Sequence, residues 1–357
     1  MNDSGAYVAA SSFMYNNTYQ EPAVLKVGSV YNMWFNGYLN GIFGLYKATS
    51  ANGVDWKVGS SIVLPSGAKG SWDSNGPYGP SVIWNGTRYL MYFGGNNNSA
   101  NTRSIGVAVS KDGIQWTQYA NNPILKPGPA RYDGGYIRDP NVVFHNGSYT
   151  MWYKGRSTFG NGSLVVGIDV ATSPDGLHWT KYSGNPVLGY VNDSSFAKDL
   201  IFQKPSVVQV GGGYFMAADD GTRVGYATSV DGLHWRMGDG WLVQPTNDTS
   251  WSGYQVVYPS LLVNGTTLLL WYFGTSALTS PISPYKSGIG LASCALVIFQ
   301  SSVTTTSTAT VTTTNVLTST TTVVSEKTTQ ITLTTALSTG VPVYDISTVA
   351  LGGLLAV

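Results

Sequence analysis

"DPNVVFHNGSYTMWYKG", residues 139–155, decides the fold of this 357-residue chain. It reads as a strand, a turn at Asn146-Gly147 and a second strand, with Asn-Gly the strongest short-range hairpin signal. A proline stands second in the stretch. The same order returns as "EPAVLKVGSVYNMWFNG" from Glu21, "GPSVIWNGTRYLMYFGG" from Gly79, "KPSVVQVGGGYFMAADD" from Lys204 and "YPSLLVNGTTLLLWYFG" from Tyr258. The prolines lie 54 to 65 residues apart. Self-similarity at such a period signals a repeat architecture.

A second motif alternates with the first. "SANGVDW" ends at Trp56, and it returns as "SKDGIQW" at Trp116, "SPDGLHW" at Trp179 and "SVDGLHW" at Trp235. Between the motifs lies a third strand such as "IGVAVS" or "VGYATS", and after the Trp comes a fourth such as "NPILKP". Four antiparallel strands per unit make a propeller blade. The expected fold is all-β: a five-bladed β-propeller of four-stranded blades over residues 1–298. The fifth unit lacks the Trp turn, so its outer strand is expected from the N-terminal segment near Tyr7 to Met14. Asp and Gly suit the tight Ser-x-Asp-Gly-x-x-Trp turn, and its Trp suits packing between blades. Asp112, Asp175 and Asp231, with His178 and His234, are therefore read as structural. Asp73 and Asp133, each seven residues before its proline, are read the same way.

Composition narrows the function. Charged residues are only 10% against a usual ~25%, and net charge is +1, so no basic field argues for nucleic acid. There are 23 Tyr, 11 Trp and 43 Gly, which suits short strands and tight turns. A single cysteine, Cys294, excludes an internal disulfide. Nine Asn-x-Ser/Thr sequons, at Asn2, Asn16, Asn85, Asn97, Asn146, Asn161, Asn192, Asn247 and Asn264, favour an extracellular or cell-surface glycoprotein. "MNDSGAYVAA" has no signal-peptide core. From Ser301 to Gly340, 24 of 40 residues are Ser or Thr, so residues 299–340 are expected to form an extended stalk or linker. Residues 341–357 end in an apolar run short of the ~20 residues that span a bilayer, and are read as the remnant of a membrane anchor. No cofactor or metal is expected.

Residues common to all blades build scaffold; polar residues that differ at one equivalent position are candidates for function. The position before the proline is Glu21, Gly79, Asp139, Lys204 and Tyr258 in turn, and the one before that is Gln20, Tyr78, Arg138, Gln203 and Val257. Inner strands start at the axial mouth, so these residues are expected to face one funnel. The second strands return to the same face, bringing Asn36 to Tyr38, Gly94 to Asn96, Lys154 to Arg156, Ala218 to Asp220 and Gly274 to Ser276 to its rim. Blade four adds carboxylates there, Asp219 and Asp220. The expected catalytic set is Glu21, Asp139, Asp219 and Asp220. Gln20, Tyr78, Arg138, Arg156, Gln203, Lys204 and Tyr258 are expected to contact substrate. Paired carboxylates beside aromatic platforms suit glycosidic chemistry, in which one group protonates the leaving oxygen and another attacks or activates water.

The "SxDGxxW" turns, the "PSV…NGxYxMWYxG" strands and the Arg138-Asp139-Pro140 triplet resemble the five-bladed propeller glycosidases, glycoside hydrolase families 32, 43, 68 and 130. The likeness covers residues ~15 to 295. It implies a glycosidase in which Asp139 steadies an oxocarbenium-like transition state. Those families carry a first-blade Asp as nucleophile or base, where this chain has Glu21, and an acid Glu in a later blade. The only Glu residues here are Glu21 and Glu326, so the acid is expected to be Asp219 or Asp220, whichever lies farther from Lys204. Three readings follow: a secreted or surface glycosidase, a carbohydrate-binding propeller, or a structural or adhesive head on a stalk.

Overall fold

The computed structural model describes residues 6–7, 19–39, 41–97, 102–128, 132–158, 164–191, 202–247, 251–276, 287–296, 305–315, 325–335 and 352–356. Five antiparallel sheets follow one another along the chain, and no helix occurs among these residues. Blade I is Gln20–Val27, Val30–Leu39, Ile42–Ser50 and Lys57–Pro65. Blade II is Tyr78–Trp84, Tyr89–Asn97, Thr102–Ser110 and Thr117–Gln118. Blade III is Tyr136–His145, Ser148–Thr158, Leu164–Ser173 and Thr180–Lys181, with Leu188–Val191 also on its third strand. Blade IV is Gln203–Val210, Gly213–Asp219, Val224–Ser229 and Arg236–Val243. Blade V is Gln255–Asn264, Thr267–Thr275 and Ser287–Ala295. Its outer edge is shared: Ala6 pairs with Leu291 and Tyr7 with Gly290, at the start of the expected segment, while Gly352–Ala356 pairs farther along the same strand. The rest of that segment, up to Met14, lies outside the described residues.

The core is five apolar wedges, one at each junction between neighbouring blades. Each junction has a centre and an edge that the repeats explain. At the centre, the residue after each proline bonds the next inner strand. Ser81 Oγ accepts from Val142 N–H at 3.0 Å, Asn141 Oδ1 from Val207 N–H at 2.9 Å, Ser206 Oγ from Leu261 N–H at 2.8 Å and Ser260 Oγ from Val24 N–H at 2.9 Å. Blade I has Ala23 at this position and cannot make the stitch. At the edge, the Trp turns latch blades together. The second-strand Trp of one blade donates its indole N–H to the turn glycine carbonyl of the next: Trp34 to Gly113 at 3.0 Å, Trp152 to Gly232 at 2.9 Å and Trp271 to Gly53 at 3.0 Å. Tyr92 makes the same bond to Gly176 at 3.1 Å. The turn Trp then meets its partner edge to face, as Trp34–Trp116 do at 6.1 Å and 85°. Within each turn the carboxylate caps backbone amides; Asp231 Oδ1 accepts from Leu233 and His234 N–H at 2.9 and 2.8 Å. The motif is thus scaffold, as its recurrence suggested.

Thr305–Asn315 pairs with Ser325–Thr335 as a two-stranded ribbon, and Gly352–Ala356 pairs with the third strand of blade V. Among the described residues no helix is long and apolar enough to cross a membrane.

Candidate active site

Proline cannot donate to a sheet ladder, and here it sits inside five inner strands. The chain solves this with a bulge at every one. Register slips between Gln20 and Ala23, Tyr78 and Ser81, Arg138 and Asn141, Gln203 and Ser206, and Val257 and Ser260. The residue before each proline adopts a left-handed backbone: φ is 56° at Glu21, 52° at Gly79, 54° at Asp139, 43° at Lys204 and 58° at Tyr258. Only Gly79 holds that conformation without a Cβ penalty; for the other four it costs on the order of 1–3 kcal/mol each. Bulges re-aim side chains, and strain of this kind marks functional positions. Four strained residues at one ring position are the expected funnel residues.

Cross-blade bonds hold two of the bulges. Gly79 N–H donates to Glu21 Oε2 at 2.5 Å and to Asn36 Oδ1 at 3.2 Å. Tyr258 N–H donates to Asp219 Oδ2 at 3.1 Å, while Gly221 N–H reaches Asp219 Oδ1 at 3.0 Å. A methyl built on Gly79 would stand 3.0 Å from Asp139 Oδ1. The amide nitrogen and Cβ of any residue are ~2.5 Å apart, so the nearest oxygens of Glu21 and Asp139 are separated by at most about 8 Å. The missing side chain of blade II is the notch between those two carboxylates.

The charges around the notch are buried and coupled. Asp139 is 2% exposed, and Arg138 Nε lies 2.9 Å from its Oδ2. Lys204 is 5% exposed; its ammonium sits 4.7 Å from the Tyr258 ring centre and has no hydrogen-bond partner among the described residues. Burial pulls Lys204 below its usual pKa, against the opposing fields of Glu21, Asp139 and Asp219. Burial pushes the Asp219 carboxyl up to about 7, with Asp139 adding to it, in spite of the two amide donors and Lys204. The Tyr258 phenol is raised by burial and by the same three carboxylates. Asp139 raises Arg138 further above its already high value. Below the mouth, the five prolines and inner-strand side chains line a central channel of about 340 Å³, with Lys204 on its wall.

Most of the sequence-derived set therefore meets at one mouth: Glu21, Arg138, Asp139, Lys204, Asp219 and Tyr258. Gln20 starts its strand opposite Asn36, and Tyr78 packs against Phe43 at 5.3 Å with its phenol raised by burial and Glu21. Lys154, expected only as a rim position, is 4% exposed and donates to Gln203 Oε1. Arg156 Nη1 lies 3.4 Å from the Tyr136 hydroxyl. Asp220 is turned away: its oxygens accept from Thr222 and Arg223 N–H, and Arg223 grips Oδ2 at 3.1 and 2.8 Å. The expectation that the acid lies farther from Lys204 points to Asp220, whereas Asp219 is the one of the two that meets the mouth, with burial as the largest influence on its pKa. Asp73 and Asp133 anchor outer strands, through Gln118 at 2.9 Å and Lys181 at 2.5 Å. Among the described residues no three His, Cys, Asp or Glu are placed to share a metal ion. Asn85, Asn146 and Asn264 sit at the turns opposite the mouth; Asn97 and Asn247 lie elsewhere on the described surface; Asn2, Asn16, Asn161 and Asn192 lie outside the described residues.

Residues 29–183 match the model of the glycosyl hydrolases family 32 N-terminal domain. An uncharacterized protein of Mycobacterium tuberculosis is 30% identical over 224 residues, 58% of this chain and 72% of that one. Among solved structures, a thermostable family-43 glycoside hydrolase superposes with a TM-score of 0.62 at 20% identity, covering 80% of this chain and 92% of that one. The family-32 beta-fructofuranosidase of Bombyx mori gives 0.55 at 13% identity, covering 78% and 60%. The blade count, the Arg138-Asp139-Pro140 bulge and these matches agree. The chain belongs to one family with the mycobacterial protein, and its fold is the five-bladed β-propeller of these solved glycoside hydrolases.

Proposed function

We propose that this protein is a glycoside hydrolase that works outside the cell on a carbohydrate held in the funnel. The observation that carries the reading is the meeting of Glu21, Asp139 and Asp219 at one bulged mouth, where burial pushes the Asp219 carboxyl up to about 7. A glycosidase needs one carboxyl that holds its proton and another that is ionised. In this reading Asp219 protonates the leaving oxygen and Glu21, held by the Gly79 amide, attacks or activates water. Asp139, paired with Arg138, stabilises positive charge developing on the sugar ring. Lys204, with its free ammonium donors, and Arg138 hold hydroxyls, while Tyr78 and Tyr258 supply ring faces. The sequons and the Ser/Thr-rich tail support a glycosylated protein displayed at the surface. The test is hydrolysis of aryl glycosides and polysaccharides by the full chain: Asp139→Asn should lower turnover by orders of magnitude while circular dichroism reports a folded propeller. Binding of sugars with no turnover on any substrate would refute catalysis.

One observation favours a second reading, a carbohydrate-binding propeller. Both oxygens of Asp219 already accept backbone amides, and the residue is 2% exposed. In that case Asp219 serves chiefly to hold the blade V bulge, and Asp219→Asn would leave ligand affinity intact.

A further inference from the structure

Beside the mouth, between blades II and III, lies a pocket of about 210 Å³ lined by Tyr78, Gly94, Gly95, Asn96, Arg103 and Arg138. Two guanidinium groups thus stand on one small wall. Two more cations adjoin it through the blade III hairpin, whose register sets Arg138 opposite Lys154 and Tyr136 opposite Arg156. The Tyr136 ring gathers this group, with the Arg103 guanidinium 4.7 Å and that of Arg156 5.5 Å from its centre. Against four cations, one carboxylate among the described residues forms an ion pair: Asp139, with Arg138. The sequence between the second and third strands of blades II and III, residues 98–101 and 159–163, contains no Asp or Glu. The local field is visible in Tyr136. Burial, the largest influence, pushes its phenol up, yet Lys154, Arg156 and Arg138 together bring it below its usual pKa.

We infer that this pocket binds an oxyanion carried by the ligand: a carboxylate, phosphate or sulfate group on a sugar. The inference rests on the reading of the funnel as a carbohydrate site and narrows its substrate to acidic sugars. Arginine suits the role because its planar fork meets two oxygens of one anion at once. Arg138 joins the pocket to the mouth, since it lines the one and pairs with Asp139 at the other. A ring seated at Asp139 would therefore carry its charged substituent toward Arg103. Leaving Arg103 and Arg156 without a carboxylate ion pair among the described residues keeps their charge available to a ligand.

The test is isothermal titration of the full chain with glucuronic and galacturonic acids, their neutral parents glucose and galactose, sugar phosphates and sulfates, and inorganic phosphate and sulfate. At least one acidic sugar should bind ten-fold or more tightly than its neutral parent, with affinity falling as NaCl rises. Arg103→Gln should remove that preference, Arg103→Lys should keep part of it, and circular dichroism should report both as folded. Uronate binding that inorganic anions do not displace identifies a carboxylate site; displacement by phosphate or sulfate identifies a general oxyanion site. Equal binding of acidic and neutral sugars, or no binding of any of these anions at ~10 mM to a native chain, would overturn the inference. Hydrolysis of neutral glycosides without preference for acidic ones would sink this inference and spare the glycosidase reading. Acidic-sugar binding without turnover would do the reverse.

Discussion

Replacing Asp169 by Asn should change how the stability of the propeller depends on pH. Asp169 lies on the third strand of blade III, 1% exposed, packed over Gly155 and next to Asp133. Neither carboxyl oxygen has a hydrogen-bond partner among the described residues. Burial, then the Asp133 charge, raises its pKa to about 8, with Lys181 only partly offsetting them. In the unfolded chain the same group titrates near 3.9. Between roughly pH 4 and pH 8 the folded chain therefore keeps a proton that the unfolded chain gives up, and stability declines as pH rises through that window. One proton corresponds to about 1.4 kcal/mol per pH unit, so the step from pH 5 to pH 7 costs about 2–3 kcal/mol. Asn has no proton to lose. Relative to wild type, Asp169→Asn should thus become about 2–3 kcal/mol more favourable between pH 5 and pH 7. Urea unfolding followed by Trp fluorescence at the two pH values measures it. A wild-type-to-variant difference that is the same at both would show that Asp169 is ionised in the fold and would refute the reasoning.

Two further changes test the ring. Gly79→Ala would place a methyl 3.0 Å from Asp139 Oδ1 on a backbone at φ 52°, so it should cost about 1–3 kcal/mol in unfolding and lower turnover with it; unchanged kinetics would remove Asp139 from the site. Ala23→Ser supplies the one missing stitch between inner strands, toward Val82 N–H, and should stabilise by about 1 kcal/mol in the same urea assay, where a loss of stability would count against the stitch.

The architecture was legible because each blade repeats the same local physics. Turn residues at Asn146-Gly147 and Asn264-Gly265, prolines 54 to 65 residues apart and Trp at the outer turn of four blades agree on one fold. The closure was readable only in part: the missing turn in blade V pointed to the N-terminus, of which Ala6–Tyr7 pairs there, but not to Gly352–Ala356 on the same edge. The convergence of Glu21, Asp139 and Lys204 followed from their equal position in the repeat. What was hidden was the device that aims them: a proline within a strand signals irregularity, but only the backbone shows the left-handed bulge. The choice between Asp219 and Asp220 was hidden too. Adjacent residues at a strand end face opposite ways, so one enters the site while the other meets Arg223. Charge alone favoured the carboxyl far from Lys204, but burial is the larger influence at Asp219. Asp169 could have been found. Aligned third strands carry Tyr46, Gly106, Asp169, Gly225 and Gly290 at one position, and a lone charge on a core strand needs an explanation. Arg103 gave no comparable signal, because it stands beyond the repeated motifs and meets Tyr136 only across a blade junction.

The claim that Asp219 is the proton donor of a glycosidase site is tested most directly by the pH dependence of kcat/KM, which reports ionisations of the free enzyme. With a glycoside whose leaving group needs protonation, wild-type kcat/KM should fall as pH rises past about 7, following loss of the Asp219 proton. In Asp219→Asn the rate should be lower throughout, and that alkaline limb should vanish; an alkaline limb that persists unchanged in Asp219→Asn would contradict the account.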